Sequence, residues 1–430
     1  MNTPIVDFVE EYLRQNPIRM HMPGHKGLGG SEYARDITEI PGADSLYEAS
    51  GIIRESEQNA SAIFGSHTFY STEGSSHAIR AMLFLALTHG KSRKILAGRN
   101  AHKAFLSAAA LLDLDVSWLY GDSYLTCSIT ADTLEAAIKA ESPCAVYLTS
   151  PDYLGNTLDI AALSAVCKRY GVLLLVDNAH GAYLKFLTPS LHPMDLGADL
   201  CCDSAHKTLP VLTGGAYLHV RDEKIAETVK PALALFGSTS PSYLILQSLD
   251  RINPMLAQLS LTETEERIMR LKETLAEHGY VLVGNEPLKL TISTKSYGYT
   301  GAEFAEELSK RQIICEFFDP DFVVLMLSIA TTDETFARLE TVLCEIQKKP
   351  ALHTSAPVFT RPKAVCSIRE ASFSRFETLP IADCCGRVLA SASVACPPAV
   401  PIVMSGEEIN QPAIDAFSYY GINECNVIKK

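Results

Sequence analysis

One lysine in this sequence is well suited to covalent chemistry. Lys207 lies in the run Asp203-Ser204-Ala205-His206-Lys207-Thr208, after the strand-like residues 198–202 and before Gly214-Gly215. Lysine is rarely buried without a partner. Burial lowers the pKa of a lysine, and the neutral amine is then a nucleophile that can form a Schiff base. The alternative is a solvated lysine in a loop. The neighbouring sequence elements must decide between these two interpretations.

Several other polar side chains also follow apolar, strand-like runs. These runs alternate with helical patterns between residues 94 and 220, which predicts an α/β fold with a parallel sheet covered by helices on both faces. In such sheets ligands bind outside the carboxyl ends of the strands. The side chains expected at these ends are His102, Ser150, Asp177, His180, Ser204, His206 and Lys207. Each has a structural alternative, such as capping of the next helix by Asp177.

A phosphate site is predicted at Gly74-Ser75-Ser76. This turn precedes residues 78–87, whose apolar positions have the period of a buried helix face. Backbone N–H groups and two hydroxyls would then lie at the positive end of the helix dipole, although serine is also an ordinary helix cap. A lysine, a carboxylate, imidazoles and a phosphate cradle together suit pyridoxal 5′-phosphate (PLP). The lysine would carry the aldehyde, and the carboxylate would keep the pyridine nitrogen protonated.

Composition restricts the class of protein. The chain has 430 residues, 47% of them hydrophobic and 20% charged, as in soluble globular proteins of two or three domains. The net charge of -13 argues against nucleic-acid binding through a basic face. Twelve scattered cysteines without a C-x-x-C motif indicate reduced thiols. We therefore expect a cytoplasmic protein with no signal peptide and no membrane partner.

Two further features concern metals and domains. Pro23-Gly24 separates His21 from His25, so no metal site is expected there. Changes of pattern along the chain predict five segments. They are an N-terminal arm with an active-site loop (1–55), a PLP-binding large domain (56–285), a small α+β domain (286–350), a linker (351–363), and a C-terminal segment (364–430).

Four motifs resemble those of the Orn/Lys/Arg decarboxylases, which have the aspartate-aminotransferase fold (PLP fold type I). Residues 20–30 are similar to the family's F-H-x-P-G-H-K-x-G, and residues 204–209 to its S-x-H-K-T-L. Residues 238–250 are similar to S-T-S-P-S-Y-x-x-x-x-S-x-D, and 397–407 to P-P-G-I-P-x-x-x-P-G-E. The motifs occur in the family's order over nearly the whole chain. The resemblance implies a PLP-dependent α-decarboxylase with a mostly parallel large-domain sheet and a smaller C-terminal α+β domain, in the short form without a receiver-like domain.

The resemblance also implies roles for individual residues. Lys207 would hold PLP as a Schiff base, Asp177 would pair with the pyridine nitrogen, and His102 would stack on the ring. Lys207 or His206 would return a proton after carbon dioxide leaves. The remaining cofactor contacts are expected from Gly74, Ser75, Ser76, His180, Ser204 and His206, and from Thr239 or Ser240 of a neighbouring subunit in a homodimer. His25 and Glu407 are expected at the substrate.

Substrate choice is less well defined by the sequence. The resemblance implies arginine, lysine or ornithine, in polyamine-type metabolism. Candidate acidic partners are Glu407, Glu408, Glu316 and Asp319, although the last two could equally be solvated surface carboxylates. The sequence departs from the family pattern at Glu73, Asn178, Cys396, Ala399 and Ser405. These departures leave the PLP core intact and put the substrate in question.

Two other functions fit part of the pattern. An aminotransferase or lyase on the same scaffold is an alternative because transaminases of this fold clamp the substrate carboxylate with an arginine. The available arginines are Arg361, Arg369, Arg375 and Arg387. A PLP-sensing regulatory module is disfavoured, since such proteins carry a basic helix-turn-helix arm and this chain has a net charge of -13.

Overall fold

A computed structural model describes residues 1–121, 123–358, 361–391 and 398–430. Cys396 lies outside the described residues. The chain forms two compact units. The first comprises Met1–Ser92, Cys144–Val146 and Ile160–Leu261, and the second Arg93–Pro143, Tyr147–Asp159 and Thr262–Lys430. The five segments expected from the sequence remain a prediction.

The strands are short, mostly of three to five residues. They are β1 His67–Ser71, β2 Lys94–Gly98, β3 Asp115–Leu119, β4 Ala145–Thr149, β5 Leu173–Asp177, β6 Leu200–Asp203, β7 Ala216–Val220, β8 Leu282–Val283, β9 Lys289–Ser293, β10 Phe317–Phe318, β11 Phe322–Met326, β12 Phe376–Pro380, β13 Leu389–Ser391 and β14 Glu424–Ile428.

The helices range from one turn to more than four. They are α1 Pro4–Gln15, α2 Ser31–Arg35, α3 Ile52–Phe64, α4 Gly74–His89, α5 Lys103–Leu112, α6 Ala131–Glu141, α7 Ile160–Tyr170, α8 Ala205–Thr208, α9 Glu223–Ala226, α10 Val229–Ala234, α11 Tyr243–Leu256, α12 Thr262–Glu277, α13 Gly301–Lys310, α14 Asp333–Glu345, α15 Ile368–Phe373 and α16 Gln411–Tyr419.

The main sheet has seven strands in the order β1-β7-β6-β5-β4-β2-β3. β5 pairs parallel with β6, and β2 with β3, whereas β7 runs antiparallel to both β6 and β1. The twelve residues 204–215 connect β6 to β7, which is the lower limit for a parallel crossover, and they contain only the one-turn helix α8. The expected α/β sheet is therefore confirmed, with an antiparallel edge that makes it mixed.

Two smaller antiparallel sheets belong to the second unit. One has the order β10-β11-β9-β8, and the other β12-β14-β13. Side chains such as Phe317, Leu389 and Phe417 share a buried apolar cluster there. Segments separated by 100 residues in the sequence thus form one core.

Apolar packing fixes the elements that carry the first unit's polar residues. Leu174, Leu175 and Val176 of β5 are fully buried, as expected for a strand covered on both faces. α4 buries residues at helical spacing, among them Ala78 and Met82. Rigid strand and helix ends therefore present the polar side chains that follow them.

The N-terminal arm is tied to α11 by a buried carboxylate. Asp250 Oδ2 accepts hydrogen bonds from Ile5 N and Val6 N, both at 2.9 Å, and Ser56 Oγ donates to Oδ1 at 2.6 Å. The carboxylate thus satisfies two orphan N–H groups at the start of α1. Asp250, from the serine- and aspartate-containing motif, is a structural residue.

Within the described ranges, no helix combines the length and apolar character needed to cross a bilayer.

Candidate active site

Strand β6 and the one-turn helix α8 hold Lys207. Asp203 ends the strand, Ser204 precedes α8, and Lys207 is half-buried. The Lys207 Nζ atom lies 2.9 Å from Nε2 of His180, which is buried. His206 Nδ1 lies 3.0 Å from the Gly215 carbonyl oxygen, which fixes the imidazole beside the loop that follows α8. The lysine is thus a partly buried amine with an imidazole partner, and not a solvated loop lysine.

Strand β5 places Asp177 beside β6. Asp177 is the last residue of β5, is only 2% exposed, and is the register partner of Cys202. Its Oδ1 accepts hydrogen bonds from Ala179 N at 3.2 Å and from the Cys202 thiol at 3.7 Å. Burial raises the pKa of Cys202 well above its ordinary value, so this thiol keeps the proton that it donates.

The start of α4 has the features of an anion cradle. Gly74 has φ +71°, a left-handed conformation that favours glycine, and a Cβ there would meet no atom within 4 Å. Ser204 Oγ donates to Ser75 Oγ at 2.7 Å, which brings the hydroxyl that precedes α8 next to one at the start of α4. Glu73 forms no side-chain cap on α4 and instead accepts from Ser238 N at 2.6 Å. The open helix end and the two hydroxyls fit the phosphate of PLP.

Asn178 begins the turn that carries His180. The Asn178 N–H donates to the Cys202 carbonyl at 3.0 Å, and the Gly181 N–H donates to the Asn178 carbonyl at 2.8 Å. The Asn178 side chain donates to Asp203 Oδ1 at 2.7 Å. Asn178, one of the residues that depart from the family pattern, therefore has a defined hydrogen-bond partner, Asp203, close to Lys207.

The remaining expected site residues lie in several places. His25 Nε2 lies 3.2 Å from Asp36 Oδ2, and Gly27 N donates to His25 Nδ1 at 2.9 Å. Thr239 and Ser240 are exposed, and Ser76 is half-buried at the start of α4. The sequence alone did not indicate the pairing of His25 with Asp36.

His102 and Glu407 belong to the second unit. His102 caps α5, and its Nδ1 accepts from Ala104 N at 3.1 Å. Glu407 is buried and forms an ion pair with the buried Arg99 at 2.8 Å. Both hydrogen bonds of the Glu407 side chain, from Arg99 and from Met404 N, are accepted by Oε2. Among the described residues none donates to Oε1, which is left for a further donor.

Burial shifts the pKa values of Glu407 and Arg99 in opposite directions. It raises the pKa of Glu407, although the charge of Arg99 acts against this rise. It lowers the pKa of Arg99, against the effect of Glu407. Sequence reasoning missed Arg99, whose signal is a charged residue directly after the apolar strand β2.

The other acidic candidates differ in exposure. Glu316 is exposed and accepts a hydrogen bond from Tyr153 at 2.8 Å. Asp319 is only 8% exposed, and burial raises its pKa to about 6. The alternative of a solvated carboxylate is therefore wrong for Asp319. Its Oδ1 accepts from Asp321 N and Phe322 N, which makes it a turn-forming residue between β10 and β11.

Two of the three departures from the family pattern in the C-terminal segment, Ala399 and Ser405, lie among the described residues. Ala399 has φ +56°, a conformation that favours the glycine of the family motif, and its carbonyl accepts from Lys103 N at 2.8 Å. Ser405 is buried. Ala399 thus adopts the left-handed backbone conformation that glycine would adopt more easily at this position.

Comparison with protein-family models assigns most of the chain. The model "Orn/Lys/Arg decarboxylase, major domain" matches residues 3–278, and "Orn/Lys/Arg decarboxylase, C-terminal domain" matches 345–424. The chain belongs to the Orn/Lys/Arg decarboxylase family. Members depend on PLP, so the cofactor inferred from the lysine, the carboxylate and the phosphate cradle is confirmed, as is the assignment to the amino-acid decarboxylases.

Individual relatives cover nearly the full chain at low identity. The "Uncharacterized protein YaaO" of Bacillus subtilis is 29% identical, over 97% of this chain and 94% of its own. An arginine decarboxylase of Halalkalibacterium halodurans is 28% identical, over 95% of this chain and 91% of its own. The relatives therefore match both compact units.

Solved structures show the same fold. The constitutive lysine decarboxylase of E. coli superposes with a TM-score of 0.79 at 18% identity, covering 100% of this chain and 82% of the other. Lysine decarboxylase A from Pseudomonas aeruginosa gives 0.81 at 18% identity, covering 99% and 80%. The expected α/β architecture of PLP fold type I is confirmed.

Proposed function

We propose that this enzyme removes the α-carboxyl group of a basic amino acid, namely arginine, lysine or ornithine, and releases the corresponding amine for polyamine-type metabolism. The observation that carries the proposal is the cluster in the first unit. There Lys207 Nζ lies 2.9 Å from His180, beside the strand that ends in the buried Asp177. The arginine decarboxylase relatives support a basic substrate.

The first-unit residues have complementary roles in this proposal. Lys207 binds the cofactor aldehyde, and Asp177 holds the proton on the pyridine nitrogen. When bound there, PLP would supply an electron sink for the pair left on the substrate by the departing carbon dioxide. The phosphate is held by Gly74, Ser75, Ser76, Ser204 and His206. After loss of carbon dioxide, Lys207 Nζ or the His206 imidazole delivers a proton to the substrate α-carbon.

His180 controls the amine of Lys207. Its Nε2 can accept a proton from the ammonium form or donate to the neutral form across the 2.9 Å contact. We therefore assign His180 to the cofactor side of the site, with a proton-exchanging contact to the lysine.

Substrate contacts are assigned to His25 and Glu407, and ring stacking to His102. Glu407 Oε2 is occupied by Arg99 and Met404 N, whereas Oε1 is available to the cationic end of a basic substrate. Because Arg99 already compensates part of the charge of Glu407, the carboxylate would act mainly as a directed hydrogen-bond acceptor.

A homodimer with a shared site completes the proposal. Thr239 and Ser240 are exposed and would reach the phosphate of the neighbouring subunit. The loop of residues 18–28 also exposes apolar side chains, with Ile18 at 90%, Met20 at 86% and Leu28 at 77%. Such clustered exposure is typical of an association surface. We place the dimer in the cytoplasm, consistent with free thiols.

A product screen tests the reaction. Purified PLP-loaded enzyme is incubated separately with arginine, lysine and ornithine, and carbon dioxide and the amine are quantified, with Lys207→Ala as the blank. One of the three should release carbon dioxide and amine in equal amounts. Inertness towards all three would refute the proposed substrates. A keto acid together with the pyridoxamine form of the cofactor would instead assign the chain to transamination.

A further inference from the structure

A fully buried carboxylate lies directly before the site and has no part in the roles above. Asp203 ends β6, next to Ser204, and is 0% exposed. Its Oδ2 lies 3.0 Å from His192 Nε2 and 3.1 Å from His219 Nε2. Its Oδ1 accepts from Asn178 Nδ2 at 2.7 Å and from the Cys201 thiol at 3.7 Å. Four donors converge on one carboxylate.

The proton positions follow from the outer contacts of the two imidazoles. His192 Nδ1 accepts from the Met194 N–H at 3.3 Å, so in the neutral ring Nε2 carries the proton and donates to Asp203. His219 Nδ1 lies 2.9 Å from the Thr68 hydroxyl, which can donate to it and leaves Nε2–H for Asp203. Asp203 is therefore an ionised acceptor whose two oxygens are both engaged.

A metal ion is a poorer explanation of the same cluster. His192, Cys201 and Asp203 offer ligand atoms that lie within 4.8 Å of one another. A metal would need the lone pair of His192 Nε2, but the Met194 N–H already requires that Nδ1 be the unprotonated nitrogen. The geometry is that of hydrogen bonds to a carboxylate.

The cluster is connected to Lys207 through the turn of residues 178–181. Asn178 Oδ1 accepts no hydrogen bond from the described residues, so the side chain contributes its donor half alone, and that donor points at Asp203. A Cβ at Gly181 would collide with the Asn178 amide, which shows how tightly the turn closes around it. His180 lies inside this turn and contacts Lys207 Nζ.

We propose that Asp203 is a positioning residue for the PLP site. Asp203, itself held by His192 and His219, fixes the position of the Asn178 amide. This amide in turn fixes residues 178–181, the turn after Asp177 that places His180 next to Lys207. This inference rests on the proposed function. The residue type at position 178 supports it in one respect, because Asn178 supplies a donor to the buried Asp203. A second carboxylate there would face Asp203 in a buried site, which is unfavourable.

A pair of exchanged residues gives the sharpest test. Asn178→Asp places two buried carboxylates in contact. In Asp203→Asn the new amide has two orientations: either its NH2 group faces the NH2 group of Asn178, or it faces the histidines and leaves their N–H groups unpaired. The double variant N178D/D203N restores the bonds to His192, to His219 and between positions 178 and 203, and loses only the long contact from the Cys201 thiol. The amide oxygen introduced at position 203 accepts from His192 and His219, and the amino group of the same amide donates to the carboxylate introduced at position 178. Asn178→Ala removes the donor without adding charge and serves as a milder variant.

The measurements separate positioning from stability. Two measurements report on the geometry of the PLP site: the PLP dissociation constant and the pH midpoint of the bound cofactor's visible absorbance. Urea unfolding of the apoprotein reports on folding stability. Each single variant should weaken PLP binding about tenfold or more, the worth of one charge-assisted hydrogen bond, and move the absorbance midpoint. The double variant should return both to near the wild-type values. Asp199→Asn, which alters another β6-flanking carboxylate that bonds to Leu174 N, should change neither.

Several results would contradict the positioning role of Asp203. PLP binding and midpoint unchanged in N178A and N178D would overturn the inference, as would a folded double variant that binds PLP no better than N178D. If the single variants do not fold, a folded double variant with wild-type absorbance still supports the pairing. A wild-type chain that binds no PLP at Lys207 would refute the proposed function instead, which is a separate outcome.

Discussion

At the scale of single residues, the site depends on charges that are buried and paired. Asp177 is 2% exposed, and its Oδ1 receives hydrogen bonds from a backbone N–H and from a protonated thiol. Such donors hold the carboxylate in one orientation. A carboxylate held at the end of β5 is the group that would pair with the protonated pyridine nitrogen of PLP.

Asp177→Asn tests that charge. The amide keeps the size and one acceptor oxygen of Asp177 but cannot hold the pyridine proton. We expect kcat to fall about 100-fold or more, as when a preorganised charge is removed from an active site. PLP should still be retained, because Lys207 and the α4 cradle are unchanged. Steady-state kinetics checks the loss, and a variant with wild-type kcat would contradict the role.

Sequence reasoning could propose those site residues whose position is encoded locally. Asp177 ends one apolar strand and Lys207 follows another, and such strands can be recognised from a few consecutive residues. The partners of Asp203 could not be found in this way, because His192 and His219 are 11 and 16 residues distant. Likewise, Arg99 and Glu407 are separated by 308 residues. Pairings of this kind depend on tertiary structure and leave no local pattern.

At the scale of elements, the start of α4 depends on one backbone conformation. Gly74 has φ +71°, and its N–H donates to the Gly214 carbonyl at 2.7 Å. A side chain there would meet no atom, so any effect of Gly74→Ala must come from the left-handed backbone, at a cost of about 1 kcal/mol. Relaxation of that strain would move the N–H groups that we propose to hold the phosphate.

We therefore expect Gly74→Ala to weaken PLP binding several-fold. Gly171 provides a matched control, since it has φ +64° and equally open surroundings in the turn after α7. Gly171→Ala should lower the free energy of unfolding by about the same 1 kcal/mol and leave PLP affinity unchanged. Titration of both apoproteins with PLP distinguishes them, and equal affinities would argue against a cradle at α4.

A second element-scale prediction concerns the buried ion pair. Arg99 follows β2 and bonds both Glu407 and the Ile402 carbonyl, so it holds the C-terminal segment. Arg99→Met leaves Glu407 buried without its partner and should cost about 3–5 kcal/mol of unfolding free energy. Arg99→Met with Glu407→Leu should recover much of this loss.

The control for this pair is the exposed Arg93, which lies 4.0 Å from Asp113. Arg93→Met should change stability by less than about 1 kcal/mol, as exposed ion pairs usually do. Urea unfolding of the four proteins is the measurement. Equal stability of Arg99→Met and Arg93→Met would show that the buried pair is unimportant.

Several element boundaries were predictable, and others were not. The apolar runs revealed β5 and the helical period revealed α4, since both signals lie within a dozen residues. The one-turn helix α8 was expected as a loop, because four residues are too few for a periodic pattern. The antiparallel direction of β7 was not predictable, because a twelve-residue connection to β6 is at the lower limit for a parallel crossover and a mostly parallel sheet was expected.

At the scale of the whole molecule, buried histidines should make stability depend on pH. Burial lowers the pKa of His77 and of His219 below the ordinary value. Both stay neutral in the folded chain while the unfolded chain binds protons below about pH 6.5. Their contribution to stability is therefore present above that pH and is lost as the pH falls.

We expect the free energy of unfolding to decline by about 1.4 kcal/mol per pH unit for each such histidine below pH 6.5. His77→Gln should flatten this decline, whereas His278→Gln, at an exposed position, should not. Urea unfolding at several pH values measures the slopes. Identical slopes in His77→Gln and the wild type would exclude His77 as a source.

The central claim is that Lys207 carries the cofactor, and borohydride reduction followed by peptide mass mapping tests it most directly. Reduction makes the bond between the lysine nitrogen and the cofactor permanent, so the modified peptide can be identified. A pyridoxyl group on the peptide that contains Lys207, absent in Lys207→Ala, is the predicted result. A pyridoxyl group on another lysine, or none in the PLP-loaded wild type, would contradict the account.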